Sequence, residues 1–438
     1  MASQAEILKP RDLYLKRLLA FQDTEPVKVV TGVRRCGKSF LLKLMMRHLL
    51  DSGVAQEQIL DMNFESLAYR SLDVSGFYSY VKQRVVPGKR LYLFFDELQR
   101  LEGWEDAVNS FRVDFDCDIY VTGSNAHLLS SDFSTYLSGR CVEIKMLPLS
   151  FREFIDFHGY EIREQHGLSG EQVKRAYDKQ GEQIPLSELF EAYLRYGGMP
   201  GLAGVGLKQD VVELMLGSIY TGVVENDIAK RRRADGQLQL ADSVLLSKII
   251  RFLADNIGNS TSLSSIGNTL VAEHLLPAQG KDAAQSVAVY VEALLSAYLF
   301  YEIKRFDIKG KAELGTLGKY YMVDTGLRNY LLGYRDLDRG HLLENVVYFE
   351  LLRRGYEVAV GKIGEREIDF IATKGAEKSY FQVTEDLNAE HTRRREIKPL
   401  TMIRDNYEKV VLAAHTDSTA PVEGIKIRRV LDFLLQET

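Results

Sequence analysis

The stretch Gly32-Val33-Arg34-Arg35-Cys36-Gly37-Lys38-Ser39 decides the fold. It fits G-x-x-x-x-G-K-[ST] at every position. The apolar, β-branched run Val27-Lys28-Val29-Val30-Thr31 precedes it, and a helical pattern, Phe40 to Met45, follows. Strand, glycine-rich loop and helix start in this order predict a phosphate-binding loop. Glycine lets the backbone wrap close to an anion, and the free N–H groups of the helix start point at it. Lys38 supplies a mobile positive charge for β- and γ-phosphates and Ser39 a hydroxyl for Mg²⁺. The expected contacts to nucleotide are Gly32, Arg35, Cys36, Gly37, Lys38 and Ser39, with ATP and Mg²⁺ as the ligands.

Downstream, Gln58 to Glu65 reads as a second strand, and Arg90-Leu91-Tyr92-Leu93-Phe94-Phe95-Asp96-Glu97 as a third. A continuous apolar run suits a strand of a parallel sheet, covered on both faces. Two acids at its end are either a solvated turn or the partners of the phosphate loop. In the second reading Asp96 joins Ser39 as a Mg²⁺ ligand, and Glu97 is the general base for the attacking water. Another strand, Cys117 to Gly123, leads into Ser124-Asn125. If it lies between the loop strand and the acidic strand, Asn125 or Ser124 can touch the γ-phosphate or the water. The plainer role for such residues is to cap the next helix. Arg140, just before the strand-like run Cys141 to Ile144, reads either as a surface arginine paired with Glu143 or solvent, or as a finger. A finger would reach the γ-phosphate of a neighbouring subunit, so that hydrolysis needs self-association.

The chain has 438 residues, room for about two to four domains. Its 45% apolar and 27% charged content is that of a globular protein, and its net charge of −5 excludes a global positive field. Any nucleic-acid binding must come from a local patch. Cys36, Cys117 and Cys141 form no C-x-x-C pair, which points to reduced thiols and a cytoplasmic setting. No apolar run is long enough to span a membrane, and no signal-peptide core is visible.

Seven segments carry a family resemblance: VKVVTGVRRCGKSFLL, FFDELQ, VTGSNAHLL, LSGRCVEIKMLPLSFREF, YLRYGGMPG, KYYMVDTGLRNYLLG and ENVVYFELLRRGYEV. In this order the chain resembles the bacterial and archaeal AAA-type P-loop ATPases that carry a C-terminal domain long catalogued as of unknown function. The resemblance implies an α/β protein in four parts: an AAA-type P-loop core at residues 1–147, a helical lid at 148–238, a winged helix at 239–336 and a restriction-endonuclease-like, PD-(D/E)XK-like α/β domain at 337–438. A homo-oligomer, favoured as a hexameric ring, and DNA are the partners that fit it; no membrane is expected. The paired Arg34-Arg35 is also family-like.

The middle of the chain reads as helical from Pro148 to about residue 235, broken at Tyr193 to Pro200 by Gly-Gly and Pro. By similarity to the lid of these ATPases Arg195 would sense nucleotide, against the plainer reading of an exposed helix arginine. Lys230-Arg231-Arg232-Arg233 is either a solvated linker face or a phosphate-backbone contact. Three helical patterns, Leu246–Ile257, Leu263–Leu270 and Ala283–Ala297, then two strand-like runs around Lys309-Gly310-Lys311, read as a winged helix. Used on DNA, it would present Gln285, Ser286 and Tyr290 to bases and Lys281, Lys304, Arg305, Lys309 and Lys311 to phosphates. Used only for packing or assembly, it would present none of them.

In the last part, a helix acid, a strand aspartate and (E/Q)-x-K on the next strand would make a nuclease site. By motif position Glu344, Asp369 and Gln382 match, but Thr384 stands where the lysine belongs. A fold that grips nucleic acid without cutting it is expected, unless Lys362 or Lys374 takes the missing lysine's place. Thr392-Arg393-Arg394-Arg395 is a backbone contact or a solvated turn.

Overall fold

The computed structural model describes residues 9–124, 139–166, 172–229, 243–276 and 281–436. The chain forms two compact units, one running to Met146 and including Ser296–Tyr298, the other made of Leu147–Leu295 and Leu299–Thr438.

The first unit is built on five strands: β1 (Val27–Thr31), β2 (Ile59–Asn63), β3 (Leu91–Asp96), β4 (Cys117–Gly123) and β5 (Cys141–Lys145). They pair in parallel in the order β2-β3-β4-β1-β5. Every residue of β1 and β3 is buried, as expected for strands with helices on both faces. On one side Phe77 from the helix Val74–Lys82 meets Phe64, Phe95 and, from the helix Trp104–Asp114, Phe111 edge-to-face, with ring centroids 4.9–5.3 Å apart. Charges lie inside as well: Lys28 on β1 is ion-paired with Asp118 on β4, both side chains fully buried. Burial lowers the Lys28 ammonium pKa, and Asp118 opposes that shift. Because all five strands run the same way, the carboxyl ends of β1, β3 and β4 open on one side, where open α/β sheets bind ligands.

The second unit holds a three-stranded antiparallel sheet, β6 (Glu161–His166), β7 (Gln172–Tyr177) and β8 (Gln183–Ile184). The sequence reading of continuous helix fails here. EIREQH and QVKRAY form opposing strands in which Glu164 faces Lys174 directly, with 3.6 Å between their charges. Cross-strand pairing outweighs the helical text. Helices flank this sheet at Phe151–Phe157, Leu186–Tyr196 and Gln209–Gly222.

Three helices, Ser243–Asp255, Leu263–Ala272 and Lys281–Ser296, stand where the winged-helix helices were expected. The strands that would be its wing are not a separate hairpin. β9 (Ser260–Thr261), β10 (Phe300–Asp307) and β11 (Ala312–Met322) join β12 (Glu357–Ile363), β13 (Arg366–Lys374), β14 (Glu377–Asp386), β15 (Glu408–His415) and β16 (Lys426–Arg429) in one sheet, ordered β16-β15-β14-β13-β12-β10-β11-β9. The join is parallel, Arg305–Asp307 against Val360–Lys362. The expected boundary at 336/337 therefore falls between strands of one sheet.

Two family segments lock to each other inside this unit. Asp324 is buried, caps the helix Thr325–Leu332 by accepting from Leu327 N at 3.1 Å, and accepts from Gly198 N at 2.6 Å. Asn329 donates to the carbonyls of Leu194 and Arg195 at 2.9 and 3.0 Å, satisfying the end of the helix Leu186–Tyr196. A Cβ on Gly326 would stand 2.0 Å from Tyr196 O, so only glycine fits.

Burial pushes the Asp324 carboxyl up from 3.8 to about 6, against the backbone N–H bonds that pull it down. A raised acid holds its proton longer in the folded than in the unfolded chain, so stability falls as pH rises through this window. Asp324→Asn should therefore gain on the wild type by about 2 kcal/mol between pH 4 and pH 7. Urea midpoints of both proteins across that range check this; a difference that stays constant removes Asp324 as the titrating group.

Candidate functional site

At the end of β1 the chain turns through Gly32 (φ 143°), Arg35 (φ 64°) and Gly37 (φ 107°) into the helix Lys38–Asp51. A Cβ on Gly32 would lie 2.1 Å from Met146 O, which forbids any side chain there. No side chain caps the helix start, so its N–H groups face the loop. The Lys38 ammonium, nearly buried, donates to Gly32 O at 3.0 Å and Val33 O at 3.2 Å. Cys36 is fully buried with Sγ 3.6 Å from Met146 O, and Arg11 bonds its carbonyl at 3.1 Å. Burial pushes its thiol up, so Cys36 packs the loop and is no nucleophile.

β3 delivers its acids to the same place. Asp96 Oδ1 accepts from Ser39 Oγ at 3.0 Å and from Thr122 Oγ1 at 2.5 Å, and Oδ2 accepts from Asn63 Nδ2 at 2.9 Å. Burial raises the Asp96 carboxyl, opposed by the Thr122 and Ser39 bonds. Glu97 sits in the left-handed region (φ 54°, ψ 42°), an uncommon conformation for a side chain of its size, with its N–H on Thr122 Oγ1 at 3.0 Å. Its Oε1 lies 4.0 Å from Lys38 Nζ; its Oε2 accepts from Gln99 Nε2 at 2.6 Å and Ser124 Oγ at 3.3 Å. Ser39 and Asp96 thus offer two hard oxygens side by side, as a Mg²⁺ ion shared with phosphates requires. Among the described residues no three His, Cys, Asp or Glu side chains form a metal cage.

Other expected residues fare differently. Ser124 is buried against Glu97, whereas Asn125 lies outside the described residues, as does Lys230–Arg233. Arg140 is exposed beside β5, and the acid once offered as its partner is engaged elsewhere: Glu143 takes the hydroxyls of Thr31 and Tyr298. Arg34 and Arg100 share Glu65 at 2.8 and 2.7 Å, while Arg35 is exposed. Arg195 is an exposed helix residue bonded to Gln209 at 3.0 Å and stacked on Tyr196 and Tyr334. Sequence reasoning missed Thr122, Asn63 and Gln99. Thr122 and Asn63 are polar residues in the last two positions of buried or half-buried strands, and that was their signal.

The second cluster lies wholly in the second unit. Glu344 comes from the helix Arg339–Arg353, Asp369 from β13, Gln382 and Thr384 from β14. Asp369 N donates to Gln382 Oε1 at 3.4 Å, and Asp369 Oδ2 accepts from Val383 N at 2.8 Å. Burial, then Glu344, push the Asp369 carboxyl well above the usual range. A lysine does reach this place, from a strand the motif ignores. Lys319 on β11 puts Nζ 2.9 Å from Glu344 Oε1 and 2.7 Å from Glu367 Oε1. Lys374 is instead bonded to Arg354 O at 2.8 Å. Tyr321 also donates to Glu344. Lys319, Glu344, Asp369, Gln382 and Thr384 are each at most 9% exposed. The turn at Gly258 covers Glu344: a Cβ there would meet its Oε1 at 3.4 Å.

Among the side chains expected to face DNA, Tyr290 is buried on the stripe Ala283, Val287, Tyr290, Leu294 of its helix; only Gln285 and Ser286 are exposed. Lys304, Lys309 and Lys311 are exposed around the β10–β11 turn, and Arg305 is half-buried, 4.0 Å from Glu367. The side chain of Lys281 lies outside the described residues. Arg394 and Arg395 are paired with Glu390 and Glu396 at 2.9 and 2.7 Å.

An uncharacterized protein of Haemophilus influenzae is 39% identical over 428 residues, covering 97% of this chain and 98% of its own length. The chain belongs to the same family. An uncharacterized protein of Methanocaldococcus jannaschii is 26% identical over 417 residues, 94% of this chain and 83% of its own. A family model described as an AAA domain matches residues 24–155, which contain the whole phosphate loop, Asp96 and Glu97. That segment of the chain thus matches an AAA domain. A second model, described as a domain of unknown function (DUF8612), matches residues 187–338. Among solved structures, the Walker-type ATPase of Pyrococcus abyssi is similar with a TM-score of 0.47 and 17% identity, over 74% of this chain and 95% of that one. No helix among the described residues is long and apolar enough to cross a membrane.

Two substitutions separate the roles in the second cluster. Lys319→Met leaves Glu344 and Glu367 without their shared cation and should cost about 3–5 kcal/mol. Asp369→Asn keeps the acceptor for Val383 N and should cost less than about 1 kcal/mol. Chemical denaturation of both variants checks this; equal losses would contradict the assignment of Lys319 as the central charge.

Proposed function

We propose that the chain is a Mg²⁺-dependent ATPase that works as a homo-oligomer and couples hydrolysis to DNA through its second unit. The observation that carries the ATPase reading is the meeting of the loop and the acidic strand: Ser39 Oγ 3.0 Å from Asp96 Oδ1, with Lys38 Nζ 4.0 Å from Glu97 Oε1. In this arrangement the loop N–H groups and Lys38 bind the β- and γ-phosphates. Ser39 and Asp96 would hold Mg²⁺, whose chemistry is to neutralise charge on the phosphate oxygens. Glu97 takes a proton from the attacking water as its oxygen bonds to the γ-phosphorus and the bond to the ADP oxygen breaks.

Lys38→Ala should abolish tight ATP binding, measured by calorimetry. Glu97→Gln should bind ATP and keep it, since shape is retained and the base is lost. Turnover by Glu97→Gln at the wild-type rate would remove Glu97 as the base.

Arg140 is exposed, on the first unit's surface, with no ion pair among the described residues, which supports a role toward a neighbouring subunit. Arg140→Ala should lower turnover on the order of 10³-fold. Subunits lacking Lys38 but keeping Arg140 should rescue subunits lacking Arg140, because pocket and finger come from different chains. No rescue in oligomers shown to contain both chains excludes action in trans.

Exposed Lys304, Lys309 and Lys311 with Gln285 and Ser286 support DNA as the partner. The burial and internal pairing of the Glu344–Asp369–Lys319 cluster support binding without cleavage. A second reading, a nucleotide-controlled scaffold for a protein partner, draws on the pairing of Arg394, Arg395 and Lys304 with acids of their own unit. The salt dependence of binding to single-stranded, duplex and branched DNA decides between them. Steep loss with salt favours DNA, absence of binding at low salt favours the scaffold, and metal-dependent cutting lost in Asp369→Ala would make the chain a nuclease.

A further inference from the structure

Gln99 occupies the first turn after the acidic strand, in the short helix Leu98–Arg100. Its Nε2 donates to Glu97 Oε2 at 2.6 Å, the shortest of the two bonds that oxygen receives; Ser124 Oγ gives the other at 3.3 Å. A carboxylate only accepts, so the amide must turn its NH₂ to Glu97, and its carbonyl oxygen is then fixed on the other branch. That Oε1 is buried and has no hydrogen-bond partner among the described residues. Buried acceptors without partners are rare, and one held beside a catalytic carboxylate calls for a ligand. Glu97 itself is fixed at three points: its backbone N–H on Thr122, its left-handed φ of 54°, and its Oε2 on Gln99. Among the described residues only Oε1, the oxygen toward Lys38, receives no hydrogen bond and is left to act.

We propose that Gln99 positions the attacking water together with Glu97. The amide N–H holds Glu97 Oε2, so that Oε1 is presented to the γ-phosphate. The amide oxygen accepts one hydrogen of the water while Glu97 Oε1 takes the other as a proton. The water oxygen bonds to the γ-phosphorus, the bond to the ADP oxygen breaks, and the hydrogen held by Gln99 stays on the new phosphate. Gln99 thereby orients the water with its lone pair toward phosphorus, the gain of a near-attack geometry. This inference rests on the ATPase reading and on Glu97 as its base.

The test compares full-length wild type, Gln99→Met, Gln99→Glu, Glu97→Gln and the double variant Glu97→Gln/Gln99→Met. Steady-state ATP hydrolysis, ATP affinity and thermal midpoint are measured for each. Gln99→Met keeps the volume and loses both amide contacts; kcat should fall on the order of 10²-fold, with KM and ATP affinity within about twofold. Its thermal midpoint should not fall, because an unpaired buried acceptor has been removed. Gln99→Glu, which sets a second carboxylate against Glu97, should lose at least as much kcat. The double variant should be no slower than Glu97→Gln alone, since both residues serve one step.

A kcat within twofold of wild type in both Gln99 variants overturns the proposal. So does a loss that appears in KM and affinity instead of kcat, or one that multiplies onto Glu97→Gln. A fallen thermal midpoint with loss in Gln99→Met but full activity in a folded Gln99→Glu also overturns it, since the role would then be packing. If Glu97→Gln is inactive and the Gln99 variants are normal, only this inference fails. If wild type does not hydrolyse ATP, or Glu97→Gln does so normally, the ATPase reading fails with it.

Discussion

The carboxylate of Asp96 ties the first unit together. It takes three hydrogen bonds from three different elements: Ser39 of the loop helix, Thr122 of β4 and Asn63 of β2. Parallel pairing makes this possible, because only strands running the same way bring their carboxyl ends to one edge. Thr122 then passes the constraint on, donating to Asp96 and accepting from the N–H of Glu97 through one oxygen. Loop, Asp96 and Glu97 are in this way a single hydrogen-bonded group. The burial that raises the Asp96 carboxyl is tolerable because each of its oxygens is satisfied.

Much of this unit was legible in the sequence, for physical reasons. A motif with two glycines, a lysine and a serine at fixed spacing has few structural uses, and the runs at Val27–Thr31 and Leu91–Asp96 are too apolar to be anything but buried strands. β4 does lie between β1 and β3, the position the sensor reading assumed, and from it Ser124 touches Glu97. What was not legible is contact between residues distant in sequence. Thr122 and Asn63 belong to no motif, and Gln99 sits in FFDELQ without anything in its neighbours to reveal its orphaned carbonyl.

In the second unit the failures have identifiable causes. Residues Glu161–His166 and Gln172–Tyr177 fall in a stretch that read as helical; opposite charges placed across from each other, Glu164 and Lys174, accompany strands instead. Tyr290, expected with Gln285 and Ser286 to face bases, falls on the core stripe of its own helix. The expected wing proved to be an inner part of an eight-stranded sheet, since a strand pairing of three residues, Arg305–Asp307 with Val360–Lys362, cannot be seen in either segment alone. The segments VDTGLRN and YGGMP, striking as motifs of no evident chemistry, are explained by Asp324, whose buried carboxyl ties Gly198 to the cap of the helix Thr325–Leu332.

The missing lysine at Thr384 shows why motif position and charge balance are different questions. Glu344 is buried and Glu367 partly so, and two carboxylates brought this close need a cation. Lys319 meets that need from β11, which can reach the cluster only because β11 belongs to the same sheet as β13. Thr384 on β14 is then free of the demand and is buried as a neutral residue. Asp369, farther from the ammonium than its two acidic neighbours, is left with a backbone N–H and a raised carboxyl. One cation is shared by two carboxylates, and the fold has placed its lysine where it serves both.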